Sequence, residues 1–143
     1  MRTLKGKSYG HEYEVDLYTE IIDGLYIGGY DELGRPPEEA RSFISLTGQK
    51  YAVEYDNYFL FNLTDGKEIP ERKINFIADC GYLLLKEGPV FIYCQYGLNR
   101  SALIAFLILR KLGYSKAEAL NLLKKRHEKV LHNPYFRNYI NGL

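Results

Sequence analysis

Two cysteines, Cys80 and Cys94, in 143 residues are too few for a disulfide framework. The three histidines, His11, His127 and His132, stand at no metal-ligand spacing, and no cofactor motif accompanies them. Long apolar runs are missing too. The longest, Ala102 to Leu109, is far too short to cross a bilayer. Met1-Arg2-Thr3-Leu4-Lys5 has no apolar stretch behind it, so no secretory leader is visible. Repeats, low-complexity runs and linkers are also lacking. These absences point away from secreted, membrane-spanning and metal-dependent proteins. A reducing, cytoplasmic setting with free thiols, no metal and no cofactor is expected.

What remains has the makings of one domain over residues 1–143. Hydrophobic content is 46% and charged content 26%, the balance of a globular chain able to bury a core. A monomer is expected. The net charge of +1 conceals a split. Residues 1–93 carry 10 Lys/Arg against 16 Asp/Glu, whereas residues 94–143 carry 9 against 2. Such polarity draws anions toward the second half. Taken singly, Lys116, Lys124, Lys125 and Lys129 read more simply as solvated helix faces.

Apolar pairs around Asp23-Gly24 predict a hairpin over Tyr18 to Tyr30. Arg35 to Ala40 predicts a loop running into a short helix. Ser42 to Leu46 and Tyr58 to Leu63 are strand candidates, and polar Thr47 to Asn57 between them is expected to be mobile. Pro70 suits the first turn of a helix reaching about Lys86, with Ile74, Ile77, Ala78, Gly81, Leu84 and Leu85 on one face. Pro89 to Tyr93 reads as a buried strand and Ala102 to Leu112 as a buried helix stopped by Gly113. Ser115-Lys116-Ala117-Glu118 is a capping box, with Ala119, Leu122, Leu123 and Val130 following at helical spacing. Asn133-Pro134 opens a last short helix. This alternation implies an α/β fold: a mainly parallel twisted sheet with helices on both faces.

The informative segment is Cys94-Gln95-Tyr96-Gly97-Leu98-Asn99-Arg100-Ser101, between that strand and that helix. A thiol ends a strand, five residues form a loop, and an arginine opens a helix. Ligands of such sheets sit beyond the carboxyl ends of the strands, where Cys94 falls. Loop amides from Gln95, Tyr96, Gly97, Leu98 and Asn99, together with a helix N-terminus, make an anion cradle. The same field favours thiolate over thiol. The planar fork of Arg100 matches two oxygens of a phosphate. Gly97 permits the positive φ that turns amides inward. Ser101 is placed to donate to the thiolate. The plainer alternatives are a structural cysteine, a surface ion pair for Arg100 and a helix-capping serine.

A Cys and an Arg five residues apart, with Gly97 and Ser101 in register, resemble the signature loop of the cysteine-dependent protein tyrosine phosphatases. Ile21-Ile22-Asp23-Gly24-Leu25-Tyr26-Ile27-Gly28-Gly29 and Asn133-Pro134-Tyr135-Phe136 resemble the opening strands and closing helix of the small dual-specificity branch. The likeness covers roughly residues 20 to 143. It implies hydrolysis of phosphotyrosine, and of phosphoserine or phosphothreonine as well, through a cysteinyl-phosphate. Phosphorylated proteins or peptides would be the substrates. It also implies an aspartate general acid on an upstream loop, and Asp65, in Leu63-Thr64-Asp65-Gly66, has the right context. Glu68 is the reserve, Asp56 lies farther from the pattern, and an ordinary Asp-Gly turn is the plain alternative. The chain departs from the family at Tyr93, where a histidine is usual. Tyrosine is not cationic near neutral pH, so activity is expected with a thiol less readily ionised; the plain alternative is that Tyr93 packs beside the sheet. Cys80, in the helix before the strand, reads as a buried helical cysteine rather than a partner of Cys94.

Two other readings stay open. Gly97-Leu98-Asn99-Arg100 looks a little like the loop of RNA 5′-triphosphatases, and the basic half would suit RNA. A catalytically silent phosphate-binding module is the other, kept alive by Tyr93. The loop lacks the extra lysines frequent in lipid-phosphatase relatives, and the five-residue gap argues against a sulfurtransferase.

Overall fold

A computed structural model describes residues 3–143; Met1 and Arg2, where the reading of the N-terminus begins, lie outside the described residues. Two strands form an N-terminal hairpin, β1 (Thr3–Ser8) and β2 (His11–Asp16). Then come β3 (Tyr18–Ile22), β4 (Leu25–Gly29), β5 (Ser42–Ser45), β6 (Asn57–Leu60), α1 (Glu71–Leu85) and β7 (Val90–Cys94). The chain closes with α2 (Arg100–Lys111), α3 (Lys116–Leu123) and α4 (Pro134–Asn141). The central sheet has the order β3-β4-β7-β5-β6. Strand β3 runs antiparallel to β4, and the other three pairings are parallel. The result is an α/β domain with a mixed, mainly parallel sheet, as expected.

Strand β7 is central and fully buried. Because successive strand residues face opposite sides, Val90, Ile92 and Cys94 look one way and Phe91 and Tyr93 the other. The first side holds the main core. Residues of all four helices pack there, among them Ile74 and Ile77 of α1, Leu103 and Ile104 of α2, Leu123 of α3 and Phe136 of α4. Truncating a side chain such as Ile104 to alanine would cost about 2–5 kcal/mol. The second side holds Tyr26, Phe43, Tyr51, Phe91 and Tyr93 and is closed by loops. Helices therefore cover one face, not two.

The missing cover is the short helix expected after Arg35. Pro36 and Pro37 force the residues before them toward extended backbone. Asp31 also ties the segment down, accepting from Arg35 Nε at 2.6 Å and from the Leu33 amide. A single turn closes from Ala40 N to Pro37 O, and no helix follows. The segment expected to be mobile, Thr47 to Asn57, is anchored instead. Tyr51 is buried in the aromatic cluster, and its hydroxyl donates to Gly29 O and accepts from the Asp31 amide.

Elsewhere expectation and structure agree. Helix α1 starts after Pro70 and buries Ile74, Ile77, Ala78, Gly81 and Leu84. The Ser115–Glu118 capping box is complete on both arms. Helix α3 stops at Leu123, however, so Val130 is buried from the turn that follows rather than from the helix. Strand β6 is shorter than read and lies at the edge of the sheet. No helix among the described residues is long and apolar enough to cross a membrane.

Candidate active site

The signature segment leaves the carboxyl end of β7 and returns as α2. Cys94 closes the strand and is 3% exposed. Its Sγ accepts from the Gly97 amide at 3.2 Å and lies 3.4 Å from Ser101 Oγ. Ser101 is the second residue of α2, and the cap position is Asn99, whose side chain makes no cap bond. The serine hydroxyl is thus directed to sulfur rather than to a helix end. Gly97 has φ of +75°, and a Cβ there would stand 2.5 Å from the backbone of Gly28. Only glycine fits.

Carbonyls of the loop are tethered from outside. Tyr30 N donates to Cys94 O at 2.8 Å and to Gln95 O at 3.2 Å. Leu131 N donates to Leu98 O at 2.7 Å, and Leu103 N to Asn99 O within the helix. A trans peptide sets its N–H opposite its C=O. Holding the carbonyls outward therefore turns the amides inward, over the thiol. The Gly97 amide bond to sulfur shows that orientation directly.

Arg100 Nη1 donates to Leu63 O at 3.1 Å, which fixes the guanidinium against the chain leaving β6. Its Nε is buried and, among the described residues, has no hydrogen-bond partner. A buried guanidinium N–H without an acceptor is costly unless an anion completes it. Asp65 lines the same small cavity, about 130 Å³, as Cys94 and Arg100. Its carboxylate accepts from Asn99 Nδ2 at 3.1 Å and from Asn133 Nδ2 at 2.7 Å. Asn133 in turn caps α4 through Oδ1, receiving the Tyr135 and Phe136 amides. Glu68 and Asp56 do not line this cavity.

Gln95, Tyr96, Leu98 and Asn99 are also in the wall, with Lys7, Ser8 and Tyr13 of the hairpin. Tyr13 meets Tyr96 edge-on at 5.3 Å, and Tyr9 Oη donates to Asp65 O at 3.1 Å. The hairpin's part in the site was missed by the sequence reading, although Tyr13 and Val15 alternate with Glu12, Glu14 and Asp16. Arg126, which sends its guanidinium to the back of the loop, was missed as well. A larger cavity, about 520 Å³, lies on the loop-covered face between residues 34–41 and Val53, and neither cysteine lines it.

Tyr93 does not approach the thiol. It faces the opposite side of the sheet, where its hydroxyl pairs with Tyr58 Oη and Gln49 O. Cys80 is half-buried on α1, and burial, then Asp79, pushes its thiol up.

The model of the dual specificity phosphatase catalytic domain matches residues 62–141. The chain belongs to that family. It is a protein phosphatase of the tyrosine and dual-specificity class. Similar folds include human DUSP28, at 16% identity and a TM-score of 0.69, covering 85% of this chain and 92% of that one. DUSP15 shares 23% identity at a TM-score of 0.66, covering 87% and 85%. The Orf virus tyrosine phosphatase OH1, described as having triple substrate specificity, shares 17% at 0.64, covering 86% and 83%. No curated protein matches the chain by sequence.

Proposed function

We propose that the protein hydrolyses phosphotyrosine in proteins or peptides through a cysteinyl-phosphate on Cys94, without metal or cofactor, as a cytoplasmic monomer. One observation carries the reading. A thiol under an inward-turned amide, a guanidinium N–H lacking an acceptor and a carboxylate line one cavity.

In the first step Cys94 sulfur attacks phosphorus, and the bond from phosphorus to the leaving oxygen breaks. Arg100 and the amides of residues 95–100 neutralise the equatorial oxygens. Asp65 gives its proton to the departing phenolate or alkoxide. In the second step a water, deprotonated by the Asp65 carboxylate, attacks phosphorus. The sulfur–phosphorus bond breaks, and Ser101 Oγ stabilises the thiolate that leaves. Inorganic phosphate is released and the starting protonation states are restored.

The aromatic wall favours the aryl ester. Cys94, nearly buried, shares a small cavity of about 130 Å³ with Tyr13 and Tyr96, whose rings suit the flat ring of phosphotyrosine better than a short serine side chain. Phosphoserine and phosphothreonine would be slower substrates.

The decisive measurement is turnover of an aryl phosphate and a phosphotyrosine peptide in a chelator, for the wild type and Cys94→Ser. Wild-type turnover is expected to be unaffected by the chelator. The variant should be inactive and still bind orthovanadate. Residual turnover in Cys94→Ser, or loss in the chelator restored by a divalent ion, would sink the mechanism.

A further inference from the structure

Arg126 is 4% exposed and makes no ion pair within 4 Å among the described residues. Burying a guanidinium without a carboxylate is expensive, so its hydrogen bonds must matter. All three go to neutral oxygens. Nη1 reaches Thr19 Oγ1 at 3.2 Å, Nη2 reaches Tyr96 O at 2.7 Å, and Nε reaches Gly97 O at 3.3 Å. Two of the three acceptors are therefore consecutive carbonyls of the loop that carries the nucleophile.

Those carbonyls belong to the peptide units whose amides are Gly97 N–H and Leu98 N–H. Each amide points opposite its carbonyl. Gly97 N–H does so onto Cys94 Sγ. Backbone donors, Tyr30 N and Leu131 N, hold the neighbouring carbonyls of Cys94, Gln95 and Leu98. Among the described residues, no backbone amide donates to the carbonyls in the middle of the loop, those of Tyr96 and Gly97. At Gly97, where φ is positive and no Cβ restricts rotation, the peptide planes are the freest in the loop. A side chain fills that gap.

We infer that Arg126 is a positioning residue. Its fork fixes the peptide planes at Tyr96–Gly97 and Gly97–Leu98 so that both amides face the thiol and the phosphate. It touches neither substrate nor sulfur. Its positive charge stands behind the loop, on the far side of the carbonyls from the anion. Burial pushes the Arg126 guanidinium down to about 10, with Cys94 and Asp16 pulling the other way, so it remains a cation at neutral pH. The role rests on the reading of the loop as a phosphate cradle. It places a determinant of catalysis in the turn after α3, 26 residues past Arg100.

The test uses Arg126→Met, which keeps the apolar stem and removes the fork. Orthovanadate inhibition, kcat for an aryl phosphate and Tm are measured together. The expected variant is folded, binds vanadate about tenfold or more weakly and loses kcat in similar proportion. Its Cys94, in a Cys80→Ser background, should also lose preference for iodoacetate over neutral iodoacetamide, because the oriented amides no longer attract the carboxylate. If Arg126→Met does not fold, Arg126→Lys answers in its place. Lysine keeps the charge but lacks the planar fork, and several-fold weaker vanadate binding is expected. A folded variant with wild-type vanadate affinity and kcat, whatever its Tm, would overturn the inference. A wild type insensitive to vanadate would overturn the phosphatase reading beneath it.

Discussion

Asn133 Nδ2 sits 2.7 Å from Asp65 Oδ1, while Oδ1 of the same amide caps α4. One side chain thus links the closing helix to the proposed general acid, and Asn99 holds the other carboxylate oxygen. Asn133→Ala should cost about 1 kcal/mol for the lost cap and leave Asp65 poorly aimed. The misplacement ought to show in the leaving-group dependence. Unactivated phosphotyrosine and phosphoserine substrates should slow far more than an aryl phosphate with a good leaving group, in the same sense as for Asp65→Ala. For that variant the penalty on poor leaving groups is expected at about 10²–10⁴. Alanine is the cleaner change at 65, because an asparagine would set an NH₂ against the amides of Asn99 and Asn133. Equal slowing of both substrate classes in Asp65→Ala would mean that Asp65 orders its loop, and Glu68 would be the next residue to change.

Much of this molecule is legible in its local chemistry. Ser115–Glu118, Pro70, Gly113 and the β7–loop–α2 passage each carry a local signal, and each is found where it was read. Features that depend on what lies across the molecule were not legible. Arg126 follows Lys124 and Lys125 in sequence, and nothing local says that its turn packs against the loop. The expectation that Tyr93 bears on the thiol comes from the histidine usual at that place in the family. The period of a strand already implied the opposite, since adjacent residues of β7 face opposite sides. The helix expected after Arg35 is absent for a local reason, the Pro36-Pro37 pair, whose restriction of the preceding backbone outweighs the acidic residues after it. The N-terminal hairpin had a readable alternation. It turns at Tyr9-Gly10, where both residues have positive φ and β1 and β2 pair from Ser8↔His11 onward.

Tyr93→Phe separates stability from catalysis. The hydroxyl serves Tyr58 Oη and Gln49 O in a buried cluster, and burial, foremost, pushes its ionisation well above the usual phenol range. Removing it leaves the Gln49 carbonyl short of a donor, at a cost of about 1–3 kcal/mol. Tm should fall, and kcat at a temperature where the protein is folded should change little. A large drop in kcat without loss of Tm would show that residue 93 acts on the thiol through the strand.

Asp31 gives the fold an acid limit. Arg35 beside it, then the Leu33 amide, holds its carboxyl below the usual carboxylate range although burial opposes this. A carboxylate whose folded pKa is depressed contributes stability above its unfolded pKa and loses it as pH falls through the folded one. Its contribution should therefore be complete above about pH 5 and fade below about pH 4. Melting curves from about pH 3 to pH 7 for wild type and Asp31→Asn should converge at the acid end. A constant gap in Tm across that range would mean the asparagine loses only a pH-independent contact.

Tyr13 tests whether the hairpin selects the substrate. Its ring is 8% exposed, meets Tyr96 edge-on and walls the cavity it shares with Cys94. Its hydroxyl is buried and, among the described residues, has no hydrogen-bond partner. Ser8 nearby moderates its ionisation. Burial, first, and the charges of Tyr96, Asp65 and Cys94 after it push that ionisation up, so the phenol stays neutral through the working pH range. Removing a hydroxyl that forms no bond relieves a desolvation cost. Tyr13→Phe should therefore keep or raise Tm and leave the preference for phosphotyrosine intact. Tyr13→Ala opens the wall. An edge-to-face contact contributes about 0.5–1.5 kcal/mol, so the ratio of kcat/KM for phosphotyrosine over phosphoserine peptides should fall by up to about tenfold. The alanine variant also leaves a cavity under Leu98, and the comparison has to be made well below its Tm. An unchanged ratio in folded Tyr13→Ala would shift the selection from the hairpin to the signature loop, with Tyr96 as the next ring to truncate.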